Sequence, residues 1–203
     1  MNEIKPLPRR GRPRKFDRDE ALRQAMEVFW TNGYDGTSVA QLVEAMGIVS
    51  PSIYAAFGSK EELFREAVEL YIEAEFGPIW AALYDVDDPR EALLKMFFAS
   101  IDKLVSGGTQ RGCLIMLGTG LLGGGDPKVR AFLQQKRAEG IPKLADWLKQ
   151  AMAAGHLAPD TDPVMLARVI MAYFGGLNIE AADGADNASL KRSAELFCAR
   201  IMG

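Results

Sequence analysis

The chain has 203 residues but only one histidine, His156, and two cysteines, Cys113 and Cys198, so acid–base, nucleophilic and metal chemistry have few carriers. The cysteines lie far apart, and no Cys-x-x-Cys or Cys/His spacing suggests zinc. His156 follows Gly155 in a turn rich in Pro and Asp, without a third group to support a dyad with Cys113, and is assigned no role. The N-terminus carries a denser chemistry. Residues 9–15, Arg-Arg-Gly-Arg-Pro-Arg-Lys, form a basic run broken by Gly and Pro. Such a run cannot hold a helix and suits an arm laid across phosphates or into a minor groove, with Arg12, Arg14 and Lys15 as contacts. The first 18 residues hold seven basic and two acidic side chains, +5, against 24 basic and 27 acidic in the whole chain, −3, which leaves −8 for the remainder. An acidic total does not exclude nucleic-acid contact, because a local patch sets it.

Beside the arm, the residues from Gly36 to Lys60 predict two short helices joined by a glycine turn. The first starts at Ser38, whose hydroxyl caps a free amide while Gln41 reaches back, and stops at Gly47. The second starts at Ser50 with Pro51 in the first helical position, where its missing N–H costs nothing. Ile53 and Phe57 face inward. Ser52, Tyr54 and Ala55 occupy the free face, short or flat enough for the backbone to approach the floor of a DNA major groove. Ser38, Gln41, Ser50, Ser52, Tyr54 and Ala55 are therefore the expected DNA contacts, with Lys60 on phosphate. An upstream helix over 17–32, with Asp17 and Glu20 as a capping pair, supports the reading pair.

The chain resembles the TetR-type (TetR/AcrR) transcriptional regulators. The likeness runs from Phe16 to Tyr71 through Ala25, Phe29, Gly33-Tyr34, Gly36-Thr37-Ser38, Ala45-Met46-Gly47-Ile48, Ser52-Ile53-Tyr54, Phe57 and Ser59-Lys60-Glu61-Glu62-Leu63. It departs at Ala55-Ala56, where many relatives have aromatic or histidine residues, which bears on operator preference. The resemblance implies a three-helix DNA-binding domain, a fourth helix leading to a ligand-binding domain, and a homodimer acting usually as a repressor.

The expected architecture is all-α: an arm over 1–16, a helix-turn-helix domain over 17–58, and a helical ligand-binding and dimerisation domain over 59–203 with 59–77 as the connecting helix. That helix opens at Ser59 with Glu62 three residues on and carries Leu63, Ala67, Leu70, Tyr71 and Ala74 as a stripe, until Gly77-Pro78 kinks or ends it. Asp88-Pro89, Asp126-Pro127 and Asp162-Pro163 each read as an N-cap with proline in the first turn, predicting helices over 89–106, 127–154 and 163–182. Further helices are expected over 109–122 and 188–202. No apolar run reaches the roughly 20 residues of a membrane span, and the basic N-terminus is not followed by a signal-like apolar core. A cytoplasmic protein without membrane partners is expected.

Two other chemistries compete. Gly118-Thr119-Gly120-Leu121-Leu122-Gly123 matches the dinucleotide fingerprint, which works only where a strand feeds a tight turn into a helix of a parallel sheet. No strands are predicted, so no enzyme and no cofactor are expected. Cys113, near a helix start beside Arg111, would have a lowered thiol pKa there. The reading as a buried packing residue is favoured, and an oxidant- or electrophile-sensing thiol is the alternative, as in some members of the family. The effector pocket is expected to be mostly apolar, drawing on Trp80, Phe97, Cys113, Met116 and Trp147, with polar contacts from Arg111, Tyr173 or Asn178. The last two helices carry small residues (Ala172, Gly175, Gly176, Ala181, Ala182) beside Leu166, Ile170, Leu177, Leu196 and Ile201. The resemblance makes them the dimer contact on a palindromic double-stranded operator.

Overall fold

The computed structural model describes residues 16–105, 112–119 and 125–202, and every regular element among them is helical. Arg12, Arg14, Lys15, Arg111 and the glycine pattern beyond Thr119 lie outside the described residues.

Three helices form the N-terminal unit: α1 (Arg18–Gly36), α2 (Val39–Met46) and α3 (Ser50–Phe57). Asp17 caps α1 through the amides of Asp19 and Glu20. The Glu20 carboxylate turns to Arg23 at 2.7 Å instead of closing a capping box. Gly33, at φ +68°, interrupts the last part of α1. Tyr34 thereby turns back into the core against Phe64, with ring centroids 5.1 Å apart. The Ser38–Gln41 capping box opens α2, and Gly47 in the left-handed region closes it. Helix α3 begins one residue earlier than expected, with Val49 as an N-cap that has no side-chain hydrogen bond. Pro51 has no N–H to satisfy, and the next two amides, of Ser52 and Ile53, both reach the Val49 carbonyl, so Ser50 is not needed as a cap.

Helix α4 (Lys60–Tyr71) is capped by Ser59 and packs Leu63, Phe64, Ala67, Val68 and Tyr71 inward. The chain does not break at Gly77-Pro78. A π-helical turn spans Ile72–Phe76 and leads into α5 (Gly77–Ala81) and a 3₁₀ turn (Ala82–Tyr84), with the Gly77 amide bonding the Ile72 carbonyl five residues back. Pro78 has no amide to donate and would crowd the carbonyl four residues earlier, and widening the helix accommodates it. The widening also shifts the register, which leaves Ala74, expected in the inward stripe, exposed.

The C-terminal unit contains α6 (Pro89–Leu104), α7 (Leu114–Leu117), α8 (Pro127–Ala153), α9 (Pro163–Ala182) and α10 (Asn187–Ile201). Asp88, Asp126 and Asp162 cap α6, α8 and α9 as their Asp-Pro pairs predict. Within the described residues the helix expected over 109–122 reduces to the single turn of α7. Helix α8 packs on α9, and α6 packs on α10 and α9.

Helix α9 is long and apolar enough to pass for a membrane span by composition. It has two apolar faces. Ala167, Ile170, Phe174, Leu177 and Ala181 are buried in the bundle, whereas Met165, Val169 and Ile179 are exposed.

Candidate nucleic-acid interface and effector cavity

Helices α2 and α3 are bent by 91° across the Gly47 turn, within the roughly 90–120° of a helix-turn-helix. Leu42, Met46, Ile53 and Phe57 seal their inner faces. On the outer face, Val49 at 63% and Tyr54 at 44% exposure stand in water as large apolar groups. Ala55 is exposed beside them, with Ser50 and Ser52 partly so. Side chains outside the reading face fix the pose of α3. The Arg18 guanidinium lies over the Phe57 ring at 4.4 Å and forks onto both Glu66 oxygens at 2.7 and 2.8 Å, tying α3 to α1 and α4.

Ser38 and Gln41 hold each other. The Gln41 amide nitrogen of the main chain donates to Ser38 Oγ at 3.2 Å, while Gln41 Oε1 accepts from the Ser38 amide at 2.7 Å. Lys60, expected on phosphate, instead turns inward: Nζ donates to the Tyr34 carbonyl at 2.7 Å and lies 4.2 Å from the Tyr34 ring centroid. Burial lowers its pKa. In this arrangement it joins the end of α1 to the start of α4.

The two units meet at α7. Trp30 Nε1 donates to the Gly112 carbonyl at 2.7 Å, and the Tyr34 amide donates to the Gly118 carbonyl at 2.8 Å. A β-carbon on Gly33 would stand 3.2 Å from that Gly118 oxygen, so glycine serves here both the positive φ and the close approach. Because Cys113–Leu117 feeds this junction as a helical turn and not as a strand, the dinucleotide reading loses the geometry it needs.

Behind α7, toward the bundle, lies a cavity of about 140 Å³. Of the residues expected at an effector pocket, Trp80, Cys113 and Met116 line this cavity, together with Ile72, Phe76, Ile115, Met171 and Phe174. Phe97, Trp147, Tyr173 and Asn178 do not. Trp147 spends its indole N–H on the Leu83 carbonyl at 3.0 Å. Phe97 packs edge-on to Tyr173, which stacks on Phe197 at 3.8 Å between centroids and donates its hydroxyl to Ser193. Asn178 is fully buried, donating to the Phe174 carbonyl one helical turn back. The polar lining comes from α8 instead: Lys136, Arg137, Glu139 and Lys143. Met116 and Met171 also border a second, apolar hollow of about 430 Å³ between α7 and α9, lined by Leu117, Ala172, Gly175, Gly176 and Ile179.

Cys113 is 1% exposed and caps α7 by position only, without a side-chain hydrogen bond to its amides as an N-cap. Burial raises its thiol pKa, and the opposing pull of the Tyr71 hydroxyl, the Met116 and Ile115 amides and Arg137 does not overcome it. The lowered pKa expected from the helix start is therefore corrected: desolvation outweighs the amide dipoles.

A helix-turn-helix joined to a separate helical bundle is the architecture of a DNA-binding regulator. Residues 21–67 match the family "Bacterial regulatory proteins, tetR family", and residues 89–197 match "Tetracyclin repressor-like, C-terminal domain". The chain is 35% identical to the HTH-type transcriptional repressor ComR of Escherichia coli (strain K12), over 91% of this chain and 89% of ComR. It is 33% identical to the repressor BdcR of the same strain, over 62% of each. Among solved structures, a cysteine mutant of the TetR-family regulator CifR, complexed with 26-bp double-strand operator DNA, superposes with a TM-score of 0.86 at 38% identity, covering 94% of this chain and 99% of that one. The chain belongs to the TetR family of DNA-binding transcriptional regulators, which are not enzymes.

Proposed function

We propose that this protein is a repressor that holds a palindromic operator as a homodimer and releases it when a small molecule enters the cavity behind α7. The observation that carries the reading is that the cavity and the DNA-binding unit share one wall. Cys113, Ile115 and Met116 line the cavity, and the carbonyls on either side of them, Gly112 and Gly118, receive Trp30 and Tyr34 of α1. The repressors ComR and BdcR, and the operator complex of CifR, support the repressor assignment. Such a regulator works in the cytoplasm, where the DNA is.

On DNA, α3 enters the major groove with Ser50, Ser52, Tyr54 and Ala55 toward the bases. Ser38 and Gln41 hold the start of α2 near the backbone, and Arg12, Arg14 and Lys15 follow the phosphates or the minor groove. Lys60 supports this surface from within until a phosphate competes with the Tyr34 carbonyl for it. In the dimer, two α3 helices stand about 34–36 Å apart for half-sites one helical turn apart. The exposed face of α9 (Met165, Val169, Ile179) and Leu196 of α10, 61% exposed, form the dimer contact. Burying such a patch against its copy explains why α9 is apolar on both sides. Ligand entry displaces α7 and the π turn at the end of α4, which favours a spacing that no longer matches the operator.

Salt-dependent binding to a selected operator tests these assignments. Tyr54→Ala is expected to weaken the selected site at least tenfold while leaving random DNA nearly unchanged. Arg12→Ala is expected to weaken both and to reduce the salt slope by about 1 per protomer. Equal losses on selected and random DNA for Tyr54→Ala would count against α3 as the reading helix.

A further inference from the structure

The cavity has an apolar floor and a cationic border. Phe76, Trp80, Phe174 and Met116 supply the floor, and α8 supplies Lys136, Arg137 and Lys143. Glu139, the carboxylate on the lining, lies 3.8 Å from Lys136, and Lys136 also pairs with Glu69 at 2.6 Å. Lys136 is therefore compensated. Among the described residues, Arg137 and Lys143 form no ion pair. The Arg137 guanidinium has five N–H donors, of which Nη1 goes to the Ile115 carbonyl at 2.7 Å. Lys143 Nζ stands 4.5 Å from the Trp80 ring centroid. Burial lowers the pKa of both groups. Arg137, partly buried, and Lys143, exposed at the cavity mouth, are two cations without a counter-charge, an arrangement that favours an anion able to offset the desolvation of Arg137 by charge-assisted hydrogen bonds.

Building on the reading of this cavity as the effector site, we propose that it takes a small organic carboxylate, its head on Arg137 and Lys143 and its apolar body on Phe76, Trp80 and Phe174. At about 140 Å³ the cavity, partly open to solvent, has a volume close to the roughly 150 Å³ of an apolar cavity that admits benzene. The body is therefore a single ring or a short chain. The head group engages the N–H groups of Arg137 that the Ile115 carbonyl leaves free, so the same event that binds the ligand repositions the side chain that holds α7, whose flanking carbonyls hold α1 through Trp30 and Tyr34.

Calorimetry on the full chain with sodium benzoate and sodium hexanoate, set against benzyl alcohol and 1-hexanol, tests this. The carboxylates are expected to bind about tenfold or more tightly than the alcohols of matching size. Arg137→Met is expected to abolish that preference. Because Arg137 also supports α7, Lys143→Met at the cavity mouth serves as the second variant, expected to weaken benzoate several-fold with an unchanged melting curve. Equal affinity for acid and alcohol, no binding of either carboxylate at millimolar concentration, or an undiminished preference in both variants would overturn the proposal. Operator binding by the free protein is measured separately. Operator binding without carboxylate binding defeats this proposal and leaves the repressor reading intact, while carboxylate binding that leaves operator affinity unchanged supports the site and defeats its role as effector site.

Discussion

Burial governs the chemistry of both thiols. It pushes Cys198 up to about 12 against a weak pull from Arg90, and it raises Cys113 despite the Tyr71 hydroxyl, two amides and Arg137. A thiol is nucleophilic only as the thiolate, so neither side chain is activated in the resting fold. The native protein is therefore expected to react with a bulky aromatic disulfide reagent far more slowly than the denatured chain, in which both cysteines label. Rapid labelling of one equivalent in the native state, traced to Cys113 by Cys113→Ser, would contradict this. Residue type alone located part of the cavity: Trp80, Cys113 and Met116 were legible as a cluster of large or soft apolar groups in the C-terminal half. Arg137 and Lys143 were not, because in the charged sequence of α8 they read as a solvated face, and only packing against α7 and Trp80 distinguishes them. Phe97 and Tyr173 lie away from this cavity for the converse reason, since aromatic side chains fill cores as readily as they line pockets, and here Tyr173 stacks on Phe197 while Phe97 meets it edge-on.

Helix α1 and the single turn of α7 form the joint on which the proposed response depends. Gly33 makes it possible, and its substitution separates strain from composition. Gly33→Ala would hold a β-carbon at φ +68° and 3.2 Å from the Gly118 oxygen, and is expected to cost about 1 kcal/mol or more in a denaturant melt. Gly36→Ala, whose β-carbon would meet Asn32 at an ordinary 3.7 Å, is expected to be neutral or slightly stabilising. Equal stability of the two variants would show that the α1–α7 contact does not restrain the fold. Most element ends followed from local chemistry: the capping box at Ser38, Ser59 before α4, the three Asp-Pro starts, and Gly155 at φ +80° after α8. The π turn before Pro78 was not legible, because it arises from a register shift that periodicity alone does not reveal. Among the described residues α7 is shorter than expected, because an apolar run bounded by glycines fits a helix and a short buried turn equally well.

At the scale of the molecule, the positive arm, the α3 surface and the exposed α9–α10 face lie on one chain whose total charge is −3. This distribution concentrates positive charge in the arm, because residues 19–58 carry one basic and five acidic side chains, −4, and residues 59–203 carry 16 basic and 20 acidic, also −4. The apolar residues of α9 and α10 expected at a dimer contact divide between the core and the surface. Ile170, Leu177 and Ala181 belong to the core, and Val164, Met165, Val169, Ile179 and Leu196 are the large apolar residues of the two helices that remain exposed. Helical spacing predicted the two helices without telling which of their faces the bundle would take. Val169→Lys combined with Leu196→Lys is expected to leave the fold intact, to yield a monomer by light scattering at micromolar concentration, and to weaken operator binding more than tenfold. A stable dimer in that double variant would place the contact elsewhere. The central claim, a dimeric sequence-reading regulator, is tested most directly by selecting bound duplexes from a random DNA pool with the purified protein. Enrichment of a palindrome whose half-sites are about one helical turn apart is expected. Enrichment of a single unrepeated site, or of none, would contradict it.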